Sequence, residues 1–360
     1  MASEGTDMAK FTAKMLNISM TGMLSLVVAI GKELKLFEIL GELSSEGNPV
    51  TPEAVAQRGD LKPRYVREWL SSVACADIVE VTEDGEKFWI SDEKKTVLCG
   101  AHEAMDMLMF TQQCVPVYKT MTQVFRKDGP KGTTYDQYDD FITQLSNMST
   151  GYYEKYLISD ILPLTGVQVN GIRILDVGCG NGFVVNHLAK HFPESNLFGV
   201  DNNEDAVNKA KKAALEQNLL NSVFVNCDAA ALPREWTNSF DWVTIFDACH
   251  DQTRPDLCLK EIHRVLKPGG VFSMIEIKGT SNVFEDKKEG DGSAVLYGIS
   301  LFHCLPIGSN AMNLDALCLG NKWGEKRARE LLQQAGFQRI DVLNLPFTSA
   351  NVLYNCRKEV

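Results

Sequence analysis

The chain has 360 residues, 44% of them hydrophobic, so disorder is not expected and a large domain plus a smaller one is the natural division. Its 47 acidic residues against 36 basic ones give a net charge of −11, which repels phosphate backbones and anionic lipid surfaces and argues against nucleic-acid and membrane partners. The ten cysteines are scattered and form no CxxC pair, so a reduced, cytoplasmic protein is the simpler expectation.

In chain order, residues 20 to 43 carry Met23, Leu26, Val27, Ile30, Phe37 and Leu40 at helical spacing, which predicts one amphipathic helix. Its apolar stretch, Met20 to Ile30, is too short to cross a bilayer, and no small-residue cleavage site follows it. Thr51-Pro52 reads as a cap and first turn, and Pro63 to Leu70 opens another helix. Ile78 to Val81 and Phe88 to Ile90 flank the turn Asp84-Gly85 as a hairpin. Helices followed by a hairpin make a winged helix over residues 1–100, for which DNA is the obvious partner. Residues 76–95 hold seven acids against three lysines, so such a wing would be pushed away from phosphate. Residues 101–150 read as a helical linker and pocket wall. Met105, Met107 and Met109 in it can adapt to apolar ligands or fill a core.

From residue 151 to 360 the pattern becomes α/β. The strand Ile174-Leu175-Asp176-Val177 runs into Gly178-Cys179-Gly180-Asn181-Gly182, a tight loop that brings backbone close to a ligand. Phe183 stands where a dinucleotide fingerprint places its third glycine, which removes that reading. Leu197 to Asp201 ends a second strand in an acid 21 residues beyond Gly180, the separation at which a carboxylate meets ribose hydroxyls. Val223 to Asn226 leads to a third acid, Asp228. Phe240 to Phe246 delivers Asp247, His250 and Asp251 to the carboxyl edge, where ligands bind in open α/β sheets.

His250 directly follows a strand and titrates near neutral pH, so it is the candidate proton acceptor; capping the helix after Pro255 is its alternative role. Leu266 to Gly270 turns into a fifth strand, and residues 278–325 form an insertion of the kind that covers active sites. The insertion carries His303, a second candidate catalytic residue ranked behind His250, with Tyr297 and Trp323 as candidate pocket walls. Residues 339–343 and 352–356 supply two last strands, antiparallel to each other. No two of the six histidines show metal-ligand spacing with a cysteine or acid, so no metal is expected.

The order DVGCGNG, GVD, NCDA, FDWVTIFDACHD and EIHRVLKPGG resembles the class I S-adenosylmethionine-dependent methyltransferases over residues 150–360. The resemblance implies an α/β fold: a seven-stranded, doubly wound Rossmann-like domain preceded by an α+β winged-helix domain. It implies S-adenosyl-L-methionine as cofactor, with Gly178, Gly180 and Gly182 beneath its methionine part and Asp201 on the ribose. Asp228 and Ala229 then hold the adenine, and Asp176, Asn202 and Phe246 complete the cofactor set. It also implies His250 as general base, although Gln252 replaces the tryptophan common after the HD pair.

In the related small-molecule O-methyltransferases the winged helix is a dimerisation platform and pocket wall, which implies a homodimer here. The whole length is similar to a mycobacterial and invertebrate subgroup, whose nematode members are linked to methylation of small thiols. The expected activity is therefore methyl transfer to a small, fairly apolar thiol or phenol/hydroxyl acceptor. A thiol with a pKa of about 8.5 is already a few per cent ionised at neutral pH, whereas a phenol at about 10 needs a base, so the two acceptors would separate on loss of His250. The rival reading is a cofactor-binding regulator with the winged helix as its output module.

Overall fold

The computed structural model describes residues 7–100, 102–138, 141–310 and 315–360, without the side chains of 103, 106, 110 and 141–148. Part of the stretch read as a linker thus lies outside the described residues. The chain divides into two compact units, Met1–Val115 and Pro116–Val360.

In the first unit, α1 (Asp7–Glu33), α2 (Leu36–Leu43), α3 (Pro52–Gly59) and α4 (Pro63–Cys75) precede β1 (Glu80–Val81) and β2 (Phe88–Trp89). The single helix read over 20–43 begins earlier, at Asp7, and breaks at Lys35, whose φ of 54° is left-handed and cannot continue a right-handed helix. The resulting α1 is long and apolar enough to cross a bilayer by length and composition, as is the 291–309 segment. The sequence reading underestimated that length. Along α1, Met8, Phe11, Leu16, Met20 and Met23 are exposed, and only its last turns reach the core.

Thr51 Oγ1 accepts from Ala54 N with Pro52 in the first turn of α3, the cap that the sequence predicts. Trp69 of α4 packs edge-on to Phe37 at 5.0 Å and donates to Val27 O at 2.9 Å. The cationic residues of α4 are already engaged: Arg64 pairs with Glu68, and Arg67 with Glu86 of the wing at 2.5 Å. Of the methionines at 105–109, Met105 is buried in this unit's core while Met107 is exposed.

The second unit is built on a sheet of order β5-β4-β3-β6-β7-β9-β8. Its parallel strands are β3 (Arg173–Val177), β4 (Asn196–Asp201), β5 (Ser222–Asn226), β6 (Phe240–Phe246) and β7 (Leu266–Ile277). The remaining pair, β8 (Arg339–Asn344) and β9 (Asn351–Arg357), is antiparallel, with β9 also antiparallel to β7. Because side chains alternate along a strand, β3 feeds two cores. Leu175 and Val177 pack with helices Pro255–Val265 and Gly324–Ala335, and Ile174 packs with helices Phe183–His191 and Glu204–Glu216.

The loop after β3 carries a steric constraint at Gly182. Its φ is +77°, and a Cβ there would lie 2.6 Å from both the Ala210 Cβ and the Phe224 ring. Gly182→Ala should therefore cost about 2–4 kcal/mol, combining left-handed strain with overpacking. Chemical denaturation of the variant checks this, and a change below about 1 kcal/mol would refute the packing role.

Candidate active site

Parallel pairing of β5, β4, β3 and β6 sends their carboxyl ends to one edge, and a cavity of about 710 Å³ opens there. Asp176, Asp201, Asp228, Asp247 and Asp251 line it, while Arg254 is the only arginine or lysine among the lining residues. That arginine is already paired with Asp256 at 2.6 Å.

Asp201 joins two parts of the site. Its Oδ2 accepts from Gly180 N at 2.9 Å and its Oδ1 from Asn203 N at 2.8 Å. Burial raises its pKa, and the backbone N–H groups pull it partly back. Asp176 accepts from Thr244 Oγ1 at 2.7 Å, and burial pushes it up to about 7. Asp247, left-handed at φ 50°, accepts from Tyr153 Oη at 3.0 Å and from Asn351 Nδ2 at 2.7 Å; burial, then Glu276, raises it to about 7. Asp228 accepts from Ala230 N at 2.8 Å. The Phe246 ring stacks on Tyr153 at 5.4 Å.

Of the residues read from sequence as cofactor-binding, Asp176, Gly178, Gly180, Asp201, Asn202, Asp228, Ala229 and Phe246 all line this cavity. Gly182 does not, because it is turned against Ala210 and Phe224. The arrangement suits S-adenosylmethionine: a Cβ at Gly180 would meet open space on the cavity side, and an acidic lining matches a sulfonium cation.

His250 is not among the lining residues; Asp251 beside it is. The imidazole is buried, with Nδ1 2.6 Å from Glu276 Oε2. Glu276, 0% exposed, also accepts from Cys249 N and His250 N through Oε1 and from Trp323 Nε1 through Oε2. Burial opposes charge on His250, but Glu276 and then Asp251 outweigh it and hold the ring well above the usual imidazole range.

His303 is likewise buried outside the cavity wall, its ring against Tyr135 and Tyr138, and burial lowers it to about 4. Tyr297 and Trp323 do not line the cavity either: Tyr297 donates to Asp286 Oδ2 at 2.8 Å, and Trp323 is committed to Glu276. Sequence reasoning placed Asp247 at this edge without a role, and missed Tyr153, Asn351 and Glu276. Only Glu276 left a signal, as a lone acid inside the apolar run from Phe272 to Ile277.

Residues 168–336 match the family described as a methyltransferase domain, and residues 22–99 match the Rv2258c-like winged HTH domain. The chain is 38% identical over 151 residues to a fatty-acid O-methyltransferase of Mycolicibacterium smegmatis, 42% of this chain and 54% of that one. It spans about half the length of that relative, and 28% of the sterol 24-C-methyltransferase erg6 of Schizosaccharomyces pombe. With the ubiquinone/menaquinone biosynthesis C-methyltransferase UbiE of Rickettsia prowazekii it shares 33% identity over 216 residues, 55% of this chain and 80% of that one.

In fold it resembles a putative O-methyltransferase from Nostoc punctiforme, with TM-score 0.72 and 16% identity over 96% and 98% of the two chains. It likewise resembles human N-acetylserotonin methyltransferase in complex with SAM, with TM-score 0.66 and 17% identity over 100% of each. A glycine loop pinned to the acid that ends β4, an acidic cavity at the carboxyl edge and these matches make the chain a member of the S-adenosylmethionine-dependent methyltransferases.

Proposed function

We propose that this methyltransferase acts on a small, fairly apolar acceptor through a sulfur or oxygen nucleophile. The observation that carries the reading is the shared chamber: Thr133, Tyr135, Ile307 and Asn310 close the same cavity that Asp201 and Asp228 line. A chamber walled in this way suits a small acceptor better than a macromolecular surface. The M. smegmatis relative, named for fatty-acid O-methylation, is consistent with an apolar acceptor.

When bound, S-adenosylmethionine supplies an electrophilic methyl group on a cationic sulfur. The protein's part is positioning and charge. Asp201 and Asn202 would hold the ribose, Asp228 and Ala229 the adenine, and the loop at Gly178 and Gly180 the amino-acid half. The acidic lining attracts the cation and loses that attraction once the sulfur becomes neutral, which favours release of the product. His250, the expected general base, lies outside the cavity and is held in its protonated form by Glu276, so it would not take the acceptor's proton directly; Asp251 is the member of the pair on the cavity side.

The decisive test is a panel of thiols, phenols and carboxylates read as S-adenosylhomocysteine release. Turnover of one class assigns the acceptor. Tight cofactor binding with no release across the panel would instead favour a regulator.

The acidic lining has a pH signature. Asp176, packed with Thr244 and facing Asp201, sits near 7, as does Asp247, so both take up protons as the pH falls through neutrality. A cation needs them ionised. S-adenosylmethionine affinity should therefore rise from pH 6 to pH 8, by up to about tenfold per pH unit for each proton displaced. Titration calorimetry across that range measures it, and Asp176→Asn should flatten the profile.

We also propose a homodimer, with the exposed apolar face of α1 meeting a second copy. A sedimentation mass of 40.0 kDa, one chain, at micromolar concentration would overturn that assembly.

A further inference from the structure

Behind the cavity wall, three donor atoms from distant parts of the chain come together. One donor atom from each of His250, Asp251 and Cys304 lies within 4.8 Å of the other two, with His250 and Cys304 buried. Residue spacing conceals the cluster, because Cys304 comes from the insertion after β7 and meets His250 and Asp251 only through the fold.

The details resemble a ligand set more than a packing accident. Asp251 Oδ1 is buried without a hydrogen-bond partner, which is costly for a carboxyl oxygen unless something else satisfies it. It lies 3.5 Å from His250 Nε2, close to the separation of roughly 3.3 Å between two ligands of one tetrahedral ion with bonds near 2.0 Å. His250 Nδ1 is committed to Glu276, so the carboxyl group fixes the ring and leaves Nε2 as the nitrogen facing the cluster. A carboxylate behind a histidine is the usual outer support of a metal-binding imidazole. Glu276 is itself held by the backbone of Cys249 and His250 and by the Trp323 indole. Cys304 closes a π-helical stretch, Ser300–Cys304, a local widening that is frequent at functional sites. Its sulfur also lies 3.6 Å from His303 Nδ1.

We propose that His250, Asp251 and Cys304 form a binding site for a thiophilic divalent cation, with zinc as the fitting ion. An imidazole, a carboxylate and a thiolate are all ordinary zinc ligands, and three protein donors leave a fourth position open. Binding forms Zn–N, Zn–O and Zn–S bonds and displaces the Cys304 thiol proton, and any proton on Nε2, to solvent. Because Asp251 also lines the cavity, the fourth position is placed to take an acceptor thiolate or oxyanion and to release its proton in the same way. This last consequence rests on the small-acceptor reading above; the ion site does not.

The test uses the full chain, stripped with a chelator, dialysed, and offered zinc alone or cobalt(II) as a spectroscopic probe. One zinc per chain is expected by elemental analysis, with a thiolate-to-cobalt charge-transfer band in the near ultraviolet. Cys304→Ser should abolish the band, and Asp251→Asn should weaken zinc binding by at least about tenfold. Circular dichroism shows that each variant is folded, and Cys304→Ala serves should Cys304→Ser fail that check. Substoichiometric zinc in the wild type, or zinc retained equally by the variants, would overturn the site. Since the readout is metal binding, an inactive acceptor panel leaves this result interpretable.

Discussion

Glu276→Ala is expected to destabilise the fold by about 3–5 kcal/mol and to abolish methyl transfer, the usual cost of removing one partner from a buried ion pair. Glu276 lies on β7 with no solvent exposure and accepts from two backbone N–H groups, an imidazole and an indole. Its loss strands these donors in an apolar layer and leaves a cationic ring without its principal counter-charge. Glu276→Gln separates shape from charge. Its amide oxygen can still accept from the backbone, but its NH₂ group would face the His250 N–H, so an intermediate loss is expected. Denaturation monitored by circular dichroism gives the ordering, wild type above Gln above Ala. An alanine variant within about 1 kcal/mol of wild type would refute the central role of this carboxylate.

Asp201→Ala should weaken S-adenosylmethionine binding by at least about a hundredfold while leaving the fold intact. Hydrogen bonds to a charged group contribute about 1.5–3 kcal/mol each, and two ribose hydroxyls would lose their acceptor. The glycine loop would lose its tether as well, since Gly180 N donates to this side chain. Asp201→Asn should lose stability as well, because both carboxyl oxygens accept backbone N–H groups and the amide NH₂ would face one of them. Burial disfavours the ionised carboxylate and offsets part of that loss. A carboxyl with a folded pKa above its unfolded value binds more protons when folded, so its contribution to stability falls as pH rises through that interval. Calorimetric binding together with denaturation of the same variants separates the two effects. Loss of both affinity and fold would assign Asp201 a structural role.

Much of the cofactor edge was legible because each early strand announces itself twice, by an apolar run and by a terminal acid. Asp201 and Asp228 follow from that pattern, and parallel pairing then puts them on one cavity. Gly182 shows the limit of the pattern. A GxGxG string says that backbone turns tightly, but which glycine faces the ligand depends on Phe224, a residue from another strand. The break in the N-terminal helix was invisible for a different reason, since Lys35 is not a residue type that signals left-handed backbone. The surroundings of His250 depend wholly on tertiary contact: Glu276 is 26 residues away and Cys304 farther still. Spacing rules built on local geometry have no access to such a group.

The hydrogen bond between Gly180 N and Asp201 has one more consequence. With the ribose on Asp201 and the amino-acid half on the glycine loop, as proposed above, it would make the two grips a single mechanical piece. Adenosine seated on Asp201 would therefore pre-order the loop that methionine needs, so the two fragments should bind with positive cooperativity. The intact cofactor would then surpass the fragments by the effective concentration that its own covalent link provides.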